Sequence, residues 1–385
     1  MTAALAGLQV LDLTRYIPGP YATWLLAALG AEVTKLEEPP IGDGTRAVPP
    51  AVAGESAAHA ALNRRKRSML VDIRQKEGAE LVRELARRAD VFVEAYRPGT
   101  LERRGLGAAQ LCAENPRLVY CSMTGYGPDG PLAQRAGHDI DYLARAGFLA
   151  GTQDGQGQPV IPGAQLADMS SGLMAAIGIL AALQARERTG RGQVVNVSLM
   201  DAALALQTVP LTRRLAGGPA QDELTGTHAC YNLYRCRDGR FVAVGALEPK
   251  FWERLCRALE LPELVGRQWD SGPRREQLRE QLAQVFASRD RDDWLRHFAD
   301  HDVCVEPVLD AEAAWSQEQA ARMAVRMPVG AASARTLGVP FELSETPADS
   351  GGAAPRLGQH TDEILEQAGL SAARIQALRR QAVIA

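Results

Sequence analysis

The sequence lacks several features that would each fix a function at once. None of its six cysteines (112, 121, 230, 236, 256 and 304) forms a C-x-x-C pair, which excludes a zinc ribbon and a thioredoxin-type motif. In a chain of 385 residues they read as reduced thiols and predict a cytoplasmic protein. Basic residues show no clustered excess: the net charge is −3 with both signs mixed, which argues against nucleic acid as a partner. The start, "MTAALAGLQVLDLTRYIPGP", has neither the basic opening nor the apolar core of a secretory signal. The most apolar run, residues 172–183, falls short of the roughly 20 residues a bilayer span needs and reads as a buried helix. No membrane partner is expected. No second histidine lies near His138, so a metal site is not expected there. No internal repeat is visible.

The patterning that is present points to an α/β protein of about two domains. "GLQVLDLT" (7–14) reads as a buried strand, "PYATWLLAALGA" as a helix ended by Gly30, and "EVTKLEEP" as a second strand. Strand, helix, strand in so short a span is a βαβ unit and implies a parallel, Rossmann-like sheet. The dinucleotide fingerprint G-x-G-x-x-G is missing; "YIPGP" stands in its place. Further strands are read at "RSMLVDI", "DVFVEAY", "RLVYCSMTGYG" and "GQVVNVSL". Helices are read at 76–89, from Asp168 to Gly190, and over 200–215 as one piece. A loop-rich linker follows at 216–229, then a hairpin turned at Asp238–Gly239 and three helical segments. The expected organisation is a large domain of 1–215 completed by 325–385, with a smaller α+β domain at 216–324. Residues 330–355 read as a long connecting loop.

Three residues stand out as chemistry. His138 lies in "GHDIDY" at a helix start; Asp141 would share its face at i,i+3, while Asp139 points away. Gly137 permits close approach, and the Asp139 amide at the helix start could hold a negative oxygen. Taken alone, such a histidine is more often structural. Asp168 precedes an apolar helix; it reads as an N-cap, as a carboxylate at a pocket mouth, or as both. Glu248, in "GALEPKFW", reads as a solvent-facing first-turn glutamate or as an orienting partner for a histidine. The basic runs "NRRKRS" and "YRPGTLERRG" are solvated faces or a polyphosphate site at the carboxyl ends of parallel strands.

The stretches "VLDLTRYIPGPYATWLLAALGAEVTKLEEP", "NRRKRSMLVDIR", "VFVEAYRPGTLERRGLG", "GHDIDY", "LADMSSGLMAAIGILAAL", "TGRGQVVNVSLMDAAL" and "RLGQHTDEIL" resemble, in this order, the family III coenzyme A transferases. That resemblance implies two domains and an interlocked homodimer, with each active site between one subunit's large domain and its partner's small domain. One branch moves CoA between carboxylic acids through an aspartate nucleophile, at the position of Asp168. The other resembles α-methylacyl-CoA racemase and inverts the carbon next to the thioester. It uses a histidine in "GHD", the same aspartate and a glutamate in "G-x-x-E-P-x-F", matched here by His138, Asp168 and Glu248. The match favours the racemase branch, acting on 2-methylacyl-CoA or related 2-arylpropionyl-CoA thioesters, with the transferase as the alternative. No separate cofactor is implied, since CoA is part of the substrate.

By the same resemblance, CoA would contact Val71, Asp72, Ile73, Arg74, Arg97, Gly99, Thr100, Leu101, Arg103, Gly137, Asp139 and Tyr142. Two positions depart from the racemase pattern: Asp141 stands where asparagine is common, and Glu38 where arginine is frequent. Lys35 or Arg46 would have to supply the phosphate contact that Glu38 cannot.

Overall fold

The structure, a computed structural model, describes residues 3–218 and 224–385, so part of the linker read at 216–229 lies outside the described residues. The chain divides into two compact units. The larger comprises residues 1–150, 154–207 and 322–385; the smaller comprises 151–153 and 208–321.

The larger unit is built on six parallel strands: β1 (Gln9–Leu13), β2 (Glu32–Glu37), β3 (Arg67–Leu70), β4 (Val91–Glu94), β5 (Val119–Thr124) and β6 (Val194–Ser198). Their order is β3-β2-β1-β4-β5-β6, with Val10 paired to Val33 on one side and to Val91 on the other. The direction of winding reverses between β1 and β4. That gap is the switch point at which open parallel sheets bind ligands beyond their carboxyl ends. The Rossmann-like expectation holds.

Both faces of the central strands are covered, so even polar positions such as Thr34 and Lys35 of β2 are buried. Alternation still assigns each residue a side. Val10, Val91 and Val93 face α1 (Pro18–Ala28) and a long helix, while Leu11, Leu13 and Phe92 face the other layer. That second layer contains α2 (Lys76–Ala86) and the C-terminal residues Ile364, Leu365, Ile375 and Leu378. The chain end therefore seals one face of the first domain, with Ile384 bridging to Val71.

Farther along the larger unit lie α3 (Asp139–Arg145) and the long helix α4 (Leu166–Thr189), whose 24 residues exceed the apolar run visible in the sequence. By length and apolarity alone α4 could cross a membrane. Here Ala175, Ile179, Ala182 and Leu183 bury one side of it against the sheet, while Leu173, Met174 and Ile177 stay exposed. The single helix read over 200–215 is two, α5 (Leu199–Ala205) and α6 (Thr208–Leu215). Pro210 has no amide for a continuous helix and is tolerated only in the first turn of α6.

The smaller unit holds an antiparallel sheet of β7 (Tyr231–Arg235), β8 (Phe241–Gly245) and β9 (Val305–Pro307), with β8 central. The β7–β8 hairpin turns at Asp238–Gly239, where Gly239 takes φ +80. Its buried Tyr234, Val242 and Val244 pack on α7 (Pro249–Ala258), α8 (Pro273–Phe286) and α9 (Arg291–Phe298) through Trp252, Phe286 and Trp294.

The stretch read as one long loop at 330–355 is not all loop. β10 (Ala324–Val329) and β11 (Ala332–Leu337) form a hairpin of the larger unit, turned at Gly330. Only Met327 and Val329 carry its apolar side, too few to show a period among small residues.

Candidate active site

A cavity of about 710 Å³ opens at the switch point of the parallel sheet. Each wall is the segment that follows a strand. Arg15 and Tyr16 follow β1, Glu38 follows β2, Ala95 to Pro98 and Thr100 follow β4, and Met123 to Gly125 close β5. Arg74, Arg104, Ala133, Arg135, Ala136, Gly137, His138 and Tyr142 complete the lining. Of the residues suggested by the sequence, the structure thus gathers Arg74, Arg97, Thr100, Gly137, His138 and Tyr142 around one space.

The basic end is organised around a single carboxylate. Glu38 accepts the Tyr96 hydroxyl hydrogen bond at 2.5 Å and lies 3.8 Å from both Arg74 and Arg104. The Arg15 guanidinium stacks 4.8 Å over the Tyr96 ring and Arg104 5.8 Å from its centroid. Burial, and then Glu38, push the Tyr96 phenol well above its ordinary range, so it remains a donor. Asp72 reaches the cavity only through Arg74, whose Nε it accepts at 2.7 Å.

Several expectations need correction here. The side chains of Val71, Ile73 and Leu101 sit in the apolar core beneath the sheet. Gly99 and Arg103 are off the cavity wall; the 3₁₀ turn Glu102–Arg104 turns Arg104 inward instead. Neither Lys35 nor Arg46 can replace the arginine missing at position 38. Lys35 is wholly buried against Asp43 at 2.9 Å, and Arg46 is committed to Glu37 at 2.7 Å. Most of "NRRKRS" is not a solvated face: Asn63, Arg64, Lys66 and Ser68 are buried, and Arg65 is the exposed member. Arg64 is buried with its guanidinium 4.4 Å over the Trp24 ring, and Lys66 is buried on Asp12. Sequence reasoning missed Arg15, Tyr16, Tyr96 and Arg135. The signal available was position: Arg15 and Tyr16 stand directly after the first strand.

At the other end, His138 is the N-cap of α3. Its backbone amide donates to the Asp141 carboxylate at 2.9 Å. Asp141 is thus one half of a capping box, which gives this departure from the racemase pattern a structural reason. Gly137 is required by the aromatic pair beneath it: a Cβ there would come within 2.8 Å of the Tyr126 hydroxyl and 2.9 Å of the Tyr142 ring. The Tyr142 hydroxyl in turn donates to the Gly137 carbonyl at 2.7 Å.

Asp168 is the third residue of α4, so the N-cap reading fails; Gln165 occupies that position. Its carboxylate is free for other work. Its amide donates to the Asp139 carboxylate at 3.0 Å, which ties the first turn of α3 to the first turn of α4. The Asp168 carboxyl is pushed up to about 6, first by burial, then by the negative charge of Asp139, with His138 pulling it back. His138, Asp139 and Asp168 therefore form one electrostatic group. Glu248 belongs to the smaller unit, where it is the exposed N-cap of α7 and its side chain leaves the helix uncapped. Among the described residues no cluster of metal-ligating side chains occurs.

Residues 5–361 match the family model described as CoA-transferase family III. The chain belongs to CoA-transferase family III. Among curated family members it is 38% identical to an "Acyl-CoA transferase" of Fusarium pseudograminearum, covering 99% of this chain and 88% of that one. It is 34% identical to the human "Alpha-methylacyl-CoA racemase", covering 99% of this chain and 97% of the relative. The crystal structure of a CaiB/BaiF family protein from Brucella suis superposes with a TM-score of 0.83 at 30% identity, covering 96% of this chain and all (100%) of that one. The family is thus shared with both racemases and CoA-transferases.

Proposed function

We propose that this family III enzyme is a racemase or epimerase acting on the α-carbon of 2-methylacyl-CoA or related 2-arylpropionyl-CoA thioesters. The observation that carries the reading is His138 on the cavity wall in one electrostatic group with Asp168, whose carboxyl keeps its proton up to about pH 6. A one-carbon inversion needs one group to take a proton and another to return it, with affinities separated by their surroundings. In one direction the neutral His138 imidazole removes the α-proton and the thioester becomes an enolate. Asp168 then delivers its proton to the opposite face. The Asp139 amide is the donor assigned to the enolate oxygen. Glu248 of a partner subunit is assigned to orient His138.

In this reading the arginines around Glu38 take the phosphates of CoA, which belongs to the substrate, and no further cofactor is required. A cytoplasmic homodimer is proposed with it, supported by the exposed Leu173, Met174 and Ile177 on α4. The second reading is a CoA-transferase with Asp168 as nucleophile, favoured by the name of the 38% identical relative.

Incubation with a 2-methylacyl-CoA in deuterium oxide, without acceptor acid, separates the two. Deuterium gained at the α-carbon is the expected result, and His138→Ala abolishes it. No exchange, together with CoA transfer and a hydroxylamine-trapped Asp168 thioester once an acid is added, would establish the transferase instead.

A further inference from the structure

The loop between β1 and α1 presents Arg15 and Tyr16 to the cavity, yet its backbone is unusual. Tyr16 takes φ +67, a left-handed conformation that a bulky residue keeps only when its surroundings impose it. Its side chain is 55% exposed, with its ring lying over Gly44, so ring burial alone does not hold it.

The hold comes from below. The Tyr16 amide donates to Asp43 at 3.1 Å, and the same oxygen accepts the Thr45 amide at 2.9 Å. Lys35 pairs with Asp43 at 2.9 Å and donates to the Thr14 carbonyl at 3.0 Å. Asp12 accepts the Thr14 amide at 3.0 Å and the Lys66 ammonium at 3.0 Å, and Lys66 donates to the Pro20 carbonyl at 2.9 Å. Four backbone groups of residues 14–20 therefore end on four charged side chains, none more than 4% exposed. Two carboxylates balance two ammonium groups. Buried pairs of this kind add little net stability compared with apolar packing, so what they supply is geometry.

We propose that the buried quartet Asp12, Lys35, Asp43 and Lys66 is a positioning network that fixes Arg15 and Tyr16 for the phosphate-bearing part of a CoA thioester. These four residues touch no substrate; they act through the loop. The proposal rests on the reading that the basic end of the cavity takes the CoA phosphates. Arg15, stacked on Tyr96 beside Arg74 and Arg104, is the cation whose place depends on the loop.

The test is calorimetric titration of the full chain with CoA and with pantetheine, which lacks the phosphates. Two variants are used. Asp43→Asn removes the charge facing Lys35, and the pair Lys35→Met with Asp43→Leu removes one charge of each sign, which keeps the interior balanced should the single variant not fold. Each is expected to raise the Kd for CoA at least about tenfold, with the Kd for pantetheine and the binding stoichiometry unchanged. A merely structural defect lowers the stoichiometry and leaves the Kd alone. Wild-type affinity for CoA in the double variant, or equal weakening of both ligands, overturns the positioning role. Equal affinity of the unaltered protein for CoA and pantetheine overturns the phosphate reading on which it stands, and the proposal with it.

Discussion

Asp168→Asn is expected to make the protein inactive and, above neutral pH, more stable. In the folded chain the Asp168 carboxyl is raised from 3.8 to about 6 by burial and by Asp139, less what His138 takes back. An upward shift of that size corresponds to ~3 kcal/mol of preference for the protonated form. The sign follows from proton counting. An unfolded chain releases this proton near 3.8, whereas the folded chain holds it to about 6. Between those values the folded state binds more protons, so wild-type stability falls as pH rises through the window and stays lower above it. Asparagine has no proton to release. The stability advantage of Asp168→Asn over wild type should therefore grow by ~2 kcal/mol between about pH 4.5 and pH 7.5. Urea unfolding of both proteins across that range measures it. Parallel pH–stability curves would refute the reasoning, because they would mean that Asp168 titrates as an ordinary exposed carboxyl. Asp139→Asn gives an internal check: in that background the onset near pH 3.8 should stay, while the gain from Asp168→Asn should level off at lower pH and be smaller in total.

Glu94, at the buried end of β4, accepts the Tyr96 amide at 2.7 Å, and burial lifts its carboxyl from 4.5 to about 7. By the same sign its folded form costs stability as pH rises from 4.5 to about 7, so Glu94→Gln should gain up to ~3 kcal/mol above pH 7 and little below pH 5, read by the same unfolding series. Gly137→Ala should cost ~1–3 kcal/mol in thermal unfolding, because the Tyr126 and Tyr142 contacts leave no room for a methyl group. Arg104→Ala should weaken CoA binding measurably in calorimetry, whereas Arg103→Ala should not, since only Arg104 lines the cavity. Equal effects of the two would show that the 3₁₀ turn does not sort these neighbours as described.

The parallel sheet was legible because its strands are buried on both faces and are punctuated by helices of 3.6-residue period. The hairpin at Ala324–Leu337 was not, since its inward side has only two large apolar residues and local pattern had nothing to repeat. His138 and Asp168 were legible as residue types beside helix starts. Their electrostatic contact was not, because it joins two helix starts about thirty residues apart in the chain, which no local period relates. The basic runs illustrate the same limit. In "NRRKRS" and "YRPGTLERRG" the composition is alike, but one is folded beneath α1 and the other over the sheet's carboxyl ends.

Residue order by itself determined the alternation of strands and helices, the order of the family-like segments, two candidate groups for proton transfer and a third to orient one of them. Periodicity and turn chemistry are local, so they survive in one dimension. Only the tertiary structure decided which charges are structural and which face a ligand. Lys35 and Lys66 became buried anchors with Asp12 and Asp43, while Arg15, Arg74 and Arg104 came together around Glu38. Burial and charge pairing depend on residues far apart in the chain, and those are brought together only when the strands have paired into the sheet that carries the switch point.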